Sequence, residues 1–270
     1  MPEATPALRG DCARCVGLCC VAPAFVASAD FAVDKPAGQP CGHLRPDFRC
    51  GIHDSLRNRG FPGCAVFDCF GAGQRATGLS AGGADWRAGP AAAAAMFDAF
   101  AVLRPLHELL WYLGQALELP AAVPFAGELA EARRETERLA GGTAEQLASV
   151  DVAGLRGRHG ALLGRVSEAA RAADRDPPPD RRGADLIGAD LRRVDLRAAG
   201  LRGAYLVGAD LRGVDLHAAD LLGADLRAAD VRGARLAGAL FVTQPLLDAA
   251  RGDGSTTIPA ALRRPAHWSA

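Results

Sequence analysis

Lysine is nearly missing from this sequence of 270 residues: Lys35 is the only one among 31 basic side chains. Beside so much Ala, Gly and Arg, that scarcity reads as the codon bias of a GC-rich genome. Net charge is missing as well. The 31 basic residues face 31 acidic ones, the pI is near 7.0, and neither nucleic acid nor an anionic membrane is expected as a partner. No apolar run approaches the ~20 residues of a membrane-spanning helix. The opening MPEATPALRGDCARC lacks the basic start and apolar core of a secretory signal, so the expected location is the cytoplasm. Catalytic signatures are missing too. No nucleophile–base pair, carboxylate dyad or nucleotide loop emerges, and Phe70-Gly71-Ala72-Gly73-Gln74 lacks the Lys-Ser/Thr of a phosphate-cradling loop. Cysteine is absent after Cys69, which confines any thiol chemistry to the start of the chain.

What the sequence does have is a phrase of five residues repeated through residues 183–242: GADLI, GADLR, RVDLR, AAGLR, GAYLV, GADLR, GVDLH, AADLL, GADLR, AADVR, GARLA, GALFV. A large apolar residue recurs at Leu186, Leu191, Leu196, Leu201, Leu206, Leu211, Leu216, Leu221, Leu226, Val231, Leu236 and Phe241, and Ala or Val usually stands two before it. A helix would smear a period of five around its circumference, and a flat strand would need a period of two. A fixed repeat of this kind predicts a solenoid, whose units bury their apolar side chains only by stacking on one another.

The phrase A-[DN]-L-x-x resembles the pentapeptide-repeat family. That resemblance implies a right-handed, four-sided β-helix with one phrase per side, hence twenty residues per coil and three coils at the ~4.8 Å strand spacing. It also implies that the Leu and the small residue two before it point inward. Residues twenty apart then stack, so Asp190, Asp210 and Asp230 form one column and Arg192, Arg212 and Arg232 the next. Like charges about 5 Å apart repel, but each column lies beside its opposite, and such pairs are worth a few tenths of a kcal/mol each. The repeat holds eight Asp and eight Arg, so it reads as a neutral charge lattice. Some members of the family mimic DNA and bind gyrase through an acidic surface. The neutral lattice speaks against that role here.

All eight cysteines precede residue 70: Cys12, Cys15, Cys19, Cys20, Cys41, Cys50, Cys64 and Cys69. Four disulfides would suit a secreted domain, but a reducing cytoplasm argues against them, and adjacent Cys19 and Cys20 are poorly placed to pair. The alternative is thiolate ligation of a soft metal, because C-x-x-C lets two sulfurs from one turn reach the same ion. The spacing Cys12-x-x-Cys15-x-x-x-Cys19-Cys20, with four more cysteines following, resembles the CxxCxxCC (YkgJ-like) family over approximately residues 10–75. That resemblance implies a zinc- or iron-chelating domain. Two zinc sites of four thiolates would use all eight cysteines, as would a four-iron cluster on four of them with a second site on the rest. His43 and His53, close to Cys41 and Cys50, are candidate replacement ligands, or else partners of a thiolate.

Residues 70–90 are rich in Gly without apolar period and read as a loop. Helices are expected from Ala91 to about Leu117, restarting or kinking at Pro105, from Phe125 to Ala140, and from Val152 to Ala173. They suggest a small antiparallel bundle. His107 lies on the first, as an acid–base group or ligand facing the cysteines, or as a helix-face histidine bonded to a neighbour. Pro177, Pro178 and Pro179 mark a linker. Thr243 should cap a short helix that stops at Gly252 and covers the open end of the solenoid, leaving the tail to fold back on the surface.

The sequence therefore predicts an α+β multidomain chain. Its parts are a cysteine-rich metal-binding domain (1–88), a helical domain (89–174), a linker (175–182), the β-helix (183–242) and a cap with tail (243–270). The function it points to is a non-catalytic, metal-binding scaffold with a protein partner, holding zinc or iron–sulfur and with its oligomeric state open. A metal-dependent redox or modifying enzyme and a DNA-mimicking topoisomerase modulator stand as alternatives.

Overall fold

A segment with many cysteines and no apolar period folds as turns and short helices. In the computed structural model, which describes residues 8–80, 83–175 and 179–269, this segment carries α1 (Leu18–Val21), α2 (Pro62–Ala65) and α3 (Ala72–Thr77), with 3-10 turns at Cys12–Arg14, His53–Ser55 and Arg57–Arg59. The expected loop over 70–90 is corrected by α3 and by a further 3-10 turn at Trp86–Ala88. Ala72, Gly73 and Ala76 form a fully buried face of α3, a contribution that an apolar period of large residues cannot reveal. Residues 1–7, and with them the start of the segment read for a secretory signal, lie outside the described residues, as do Pro177 and Pro178.

The long helices follow the apolar stripes. α4 (Pro90–Leu117) runs through Pro105 without restarting. Proline in a helix interior costs about 3 kcal/mol, but Leu103, Leu106 and Leu113 around it are fully buried, each worth roughly 1.5–3 kcal/mol. α5 (Ala126–Ala140) carries ion pairs between Arg133 and Glu137 (2.8 Å) and between Arg134 and Glu131 (2.5 Å) on its outer face. Arg75 closes its end, donating to the carbonyls of Ala140, Gly141 and Gly142. α6 (Ala144–Ala148) begins with a capping box between Thr143 and Gln146, a signal legible in the sequence as Thr-x-x-Gln. α7 spans Val152–Asp174.

The chain divides into two compact units, Met1–Gly114 with Gly127–Ala161 and Gln115–Ala126 with Leu162–Ala270. In the first, Leu18, Ala72 and Ala76 share one core with Met96, Phe100, Leu103, Leu106, Ala140, Leu147 and Leu155. The helices and the cysteine segment thus bury the same apolar surface, and the expected boundary at residue 88 does not divide that core. α7 is likewise shared between the units, Leu162–Asp174 belonging to the second.

The second unit is the solenoid. Parallel bridges join residues twenty apart: Asp180 to Gly200 to Asp220 to Leu240, Asp185 to Tyr205 to Asp225, and Asp190 to Asp210 to Asp230. Each is an isolated bridge and not a strand, because the chain turns a corner every five residues. Leu196, Leu201, Leu206, Leu211, Leu216 and Leu221 lie inside with Ala199, Ala204, Ala209 and Ala219, all within one core. The first place of the phrase takes a left-handed turn: Gly203, Gly208 and Gly213 have φ of 66°, 65° and 69°, and Ala198, Ala218 and Ala228 are forced to 56–57°. At this place Arg193 does not adopt positive φ, and no bridge joins Asp195 to Asp215 among the described residues. A Cβ added to Gly208 would meet nothing within 4 Å, so Gly208→Ala tests the backbone alone. It should cost about 1–2 kcal/mol in chemical denaturation, whereas Ala228→Gly should be neutral or slightly stabilising.

The ladder outruns its expected end. Asp230 pairs with Arg251 and Arg235 with Thr257, so the coil resumes after α8 (Gln244–Ala249), which replaces part of a coil with little added length and whose Leu246 and Leu247 enter the solenoid core. Thr243 precedes α8 without a side-chain cap bond, and the helix ends at Ala249 with Ala250 as its C-cap, not at Gly252. Gly252 has another cause: a Cβ there would lie 2.5 Å from the ring of Trp268. The tail is also deeper than expected, since Trp268 is buried in the same core and its Nε1 donates to the Ala250 carbonyl at 3.0 Å.

Candidate functional site

All eight cysteines are free thiols, and only Cys12 is well exposed. Local turns bring them together. Gly17, with φ of 72°, starts α1 and sets Cys19 and Cys20 side by side, their Sγ atoms 3.9 Å apart. The Cys20 carbonyl accepts from the Cys41 N–H at 2.9 Å, and an antiparallel bridge between Leu44 and Cys50 folds Cys50 back towards Cys41. Gly73 on α3 leaves room for two sulfurs, because a Cβ there would stand 2.8 Å from Cys15 Sγ and 3.8 Å from Cys69 Sγ.

The electrostatics separate the thiols into two neighbourhoods with Cys19 between them. Burial, then the charges of Cys19, Cys15 and Cys69, push the Cys12 thiol up. Burial also raises Cys69, with Asp68 and Cys15 adding to it against backbone N–H groups of Gly73 and Gly71. In the other neighbourhood Cys64 is pushed up to about 12 by burial and then by Cys19, Cys41 and Cys50, opposed by Lys35. Cys19 itself is raised by its bond with Cys20 and by burial. Cys12, Cys19, Cys64 and Cys69 therefore favour the protonated form, because each thiolate would be desolvated beside others. Among the described residues, however, no group of three or more His, Cys, Asp or Glu is gathered as a metal ion would need. His43 packs edge-on against Phe61 at 5.3 Å, and His53 is exposed at the start of its 3-10 turn.

Lys35 and His107 were given little or no part by sequence reasoning. Lys35 is 6% exposed, and its Nζ donates to the carbonyls of Val21, Pro23, Pro36 and Gln39 at 2.5–3.1 Å. Its only legible signal was its uniqueness. His107 is 1% exposed and bonds the Phe70 carbonyl through Nδ1 at 2.7 Å, which is the neighbour-bonded alternative of the two.

In the second unit the charge lattice forms as a ladder. Arg192 pairs with Asp190 (2.7 Å) and Asp210 (3.3 Å), Arg212 with Asp210 (2.6 Å) and Asp230 (3.7 Å), and Arg232 with Asp230 (2.6 Å). These guanidiniums hold the three carboxyls below their usual range, Asp190 furthest. Each Asp also accepts the N–H two residues on, as in Asp190 from Arg192 and Asp210 from Arg212, so the third place of the phrase is a turn cap before it is a surface charge. Gly200 departs from that rule for a packing reason. A Cβ there would lie 2.9 Å from Nη1 of Arg171, which is buried on α7 along with Ser167, whose hydroxyl donates to buried Asp220 at 2.6 Å. A cleft of about 220 Å³ lined by Asp215, His217, Arg235, Gly238 and Thr257 also opens on the solenoid. Its Asp215 already faces Arg197 (3.5 Å) and Arg235 (3.4 Å).

A family model described as pentapeptide repeats matches residues 182–217 and 204–241. Along nearly its whole length the chain is similar to the uncharacterized protein YybG of Bacillus subtilis, with 52% identity over 264 residues, covering 97% of this chain and 95% of that one. Among solved structures it is similar to a pentapeptide repeat protein from the Arabidopsis thaliana thylakoid lumen, with 31% identity over 33% of this chain and 63% of that one and a TM-score of 0.23. It is also similar to the pentapeptide repeat protein Rfr23 of the cyanobacterium Cyanothece 51142, with 31% identity over 29% of this chain and 50% of that one and a TM-score of 0.22. The chain thus spans less than two thirds of the length of either structure.

Proposed function

We propose that this chain, which is a pentapeptide-repeat protein and belongs to the same family as YybG of Bacillus subtilis, is a metal-binding protein of a reducing cytoplasm whose solenoid serves a protein partner as a rigid platform. What supports the metal reading is that the free thiols fall into two neighbourhoods that act on one another electrostatically. Cys15 and Cys69 meet over Gly73, and both act on Cys12, while Cys20, Cys41 and Cys64 act on Lys35 and Cys41 on Cys50.

The donor set fits a soft cation. Thiols that keep their protons because burial and mutual repulsion penalise the thiolates lack positive charge, and Zn²⁺ or an iron–sulfur core would supply it on exchange for those protons. Cys12, Cys15, Cys19 and Cys69 would hold one centre and Cys20, Cys41, Cys50 and Cys64 the other, each with four thiolates. A bound centre would cross-link turns that have little apolar core of their own. The solenoid reading rests on the paired lattice, in which Asp caps turns and Asp and Arg neutralise each other.

Anaerobic purification with metal analysis and an absorption spectrum tests the proposal. One or two zinc ions per chain without colour would identify zinc sites, and iron with sulfide in a brown protein would identify a cluster. A chain free of metal would sink both.

A further inference from the structure

Cys69 is followed by two residues in left-handed conformation, Phe70 with φ of 48° and Gly71 with φ of 82°. Glycine accepts this at no steric cost, but phenylalanine does not, and a strained backbone persists only where its surroundings hold it. The surroundings here are one face of α4. Arg104 donates through Nε to the Asp68 carbonyl at 3.2 Å, His107 bonds the Phe70 carbonyl through Nδ1 at 2.7 Å, and Trp111 lies against the Phe70 ring at 6.2 Å between centroids. These positions are three and four residues apart, so they share a helical face. Asp68 completes the turn by accepting the Phe70 N–H at 2.7 Å.

The state of His107 follows from its partners. A carbonyl only accepts, so Nδ1 carries the proton and donates it. Nε2 is then a bare acceptor, and it is buried without a partner. The ring is neutral, in keeping with burial pushing its pKa down and the charge of Arg75 adding to that. A group that leaves one buried nitrogen unsatisfied has a single polar contact to justify its presence.

We infer that His107 is a positioning residue for the Cys69 thiol: its Nδ1–H pins the strained Phe70 carbonyl and so fixes where Cys69 stands beside Cys15 over Gly73. Helix α4, nearly forty residues further along the chain, acts as the template for one member of the thiol set. The consequence for a metal centre rests on the metal reading above, but the positioning of the thiol does not.

The test uses the full chain, reduced and treated with chelator, and follows alkylation of each cysteine by peptide mass spectrometry. His107→Leu removes the donor. His107→Asn keeps one where Nδ1 stands, and His107→Gln moves it to the place of Nε2. Cys69 should react about tenfold faster relative to Cys50 in His107→Leu and His107→Gln, the effect of losing one hydrogen bond, and His107→Asn should restore the original ratio. If the Leu variant does not fold, the comparison of Asn with Gln decides alone. An unchanged ratio, a rise shared by all eight thiols, or a rise that Asn leaves in place would overturn the inference and make His107 a packing residue. Absence of metal from the purified protein would overturn the metal reading and leave this measurement standing.

Discussion

Lys35→Met should lower the unfolding free energy of the cysteine-bearing unit by about 1–3 kcal/mol, the cost of leaving buried carbonyls without their donor. The three N–H groups of the Lys35 ammonium are shared among four backbone carbonyls within 3.1 Å, those of Val21, Pro23, Pro36 and Gln39. It also lies 4.7 Å from the centre of the Phe25 ring, which stacks on Phe31 at 4.5 Å. Methionine fills a similar volume but leaves those carbonyls facing an apolar chain. Arginine should not rescue it, because a planar fork cannot direct its donors into a compact cage of carbonyls. Trp268→Phe provides a clean background, since Trp86 and Trp111, which both belong to this unit, are then the only tryptophans left to report its unfolding. A loss below about 1 kcal/mol would mean that the cage forms without its cation.

Leu206→Ala should cost about 3–4 kcal/mol, and Leu186→Ala, at the first coil, roughly half as much. The side chains belong to the same place in the phrase, so propensity and turn chemistry are held constant. Their burial is not. Leu206 is fully buried, in line with Leu186 and Leu226 one coil to either side, whereas Leu186 is only partly buried at the edge of the same core. The ladder bonds bracket Leu206 as well, with Leu186 N donating to the Tyr205 carbonyl and Leu206 N to the Asp225 carbonyl, both at 2.9 Å. Denaturation followed by Trp268, which lies in this core, measures both variants. Equal losses would contradict stacking as the source of stability and favour independent phrases.

Repetition made the solenoid legible. A period of five fixes which side chains meet, because every coil repeats the same contact, and the Asp and Arg columns follow from adding twenty to a residue number. The exceptions were opaque for the same reason. Gly200 stands in an aspartate place because Arg171 comes from another element, and Gly252 accommodates Trp268 from the tail. No local pattern encodes either encounter. α3 escaped notice because its buried face is made of Ala72 and Ala76, which a search for large apolar residues passes over. The continuation of the coil to Thr257 was hidden by the six residues of α8, which interrupt the phrase but not the ladder.

The cysteines show the opposite balance. Their spacing suggests a soft ligand set, yet which thiol meets which depends on turns with no periodic signature. Gly17 sets Cys19 beside Cys20, the Leu44–Cys50 bridge returns Cys50 to Cys41, and α3 carries Gly73 to Cys15. Lys35 belongs to the same class of feature: one residue in an apolar and carbonyl environment assembled from two short segments, around Val21–Pro23 and Pro36–Gln39.

The central claim, that the eight thiols serve as metal ligands, is tested most directly by counting reactive thiols in the native chain before and after chelation. The protein purified without oxygen is alkylated, with and without a strong chelator, and the labels are counted by mass spectrometry of the intact chain. The account predicts few labels before chelation and all eight after it, with the gain matched by release of zinc or iron. The same number of labels in both samples would contradict it.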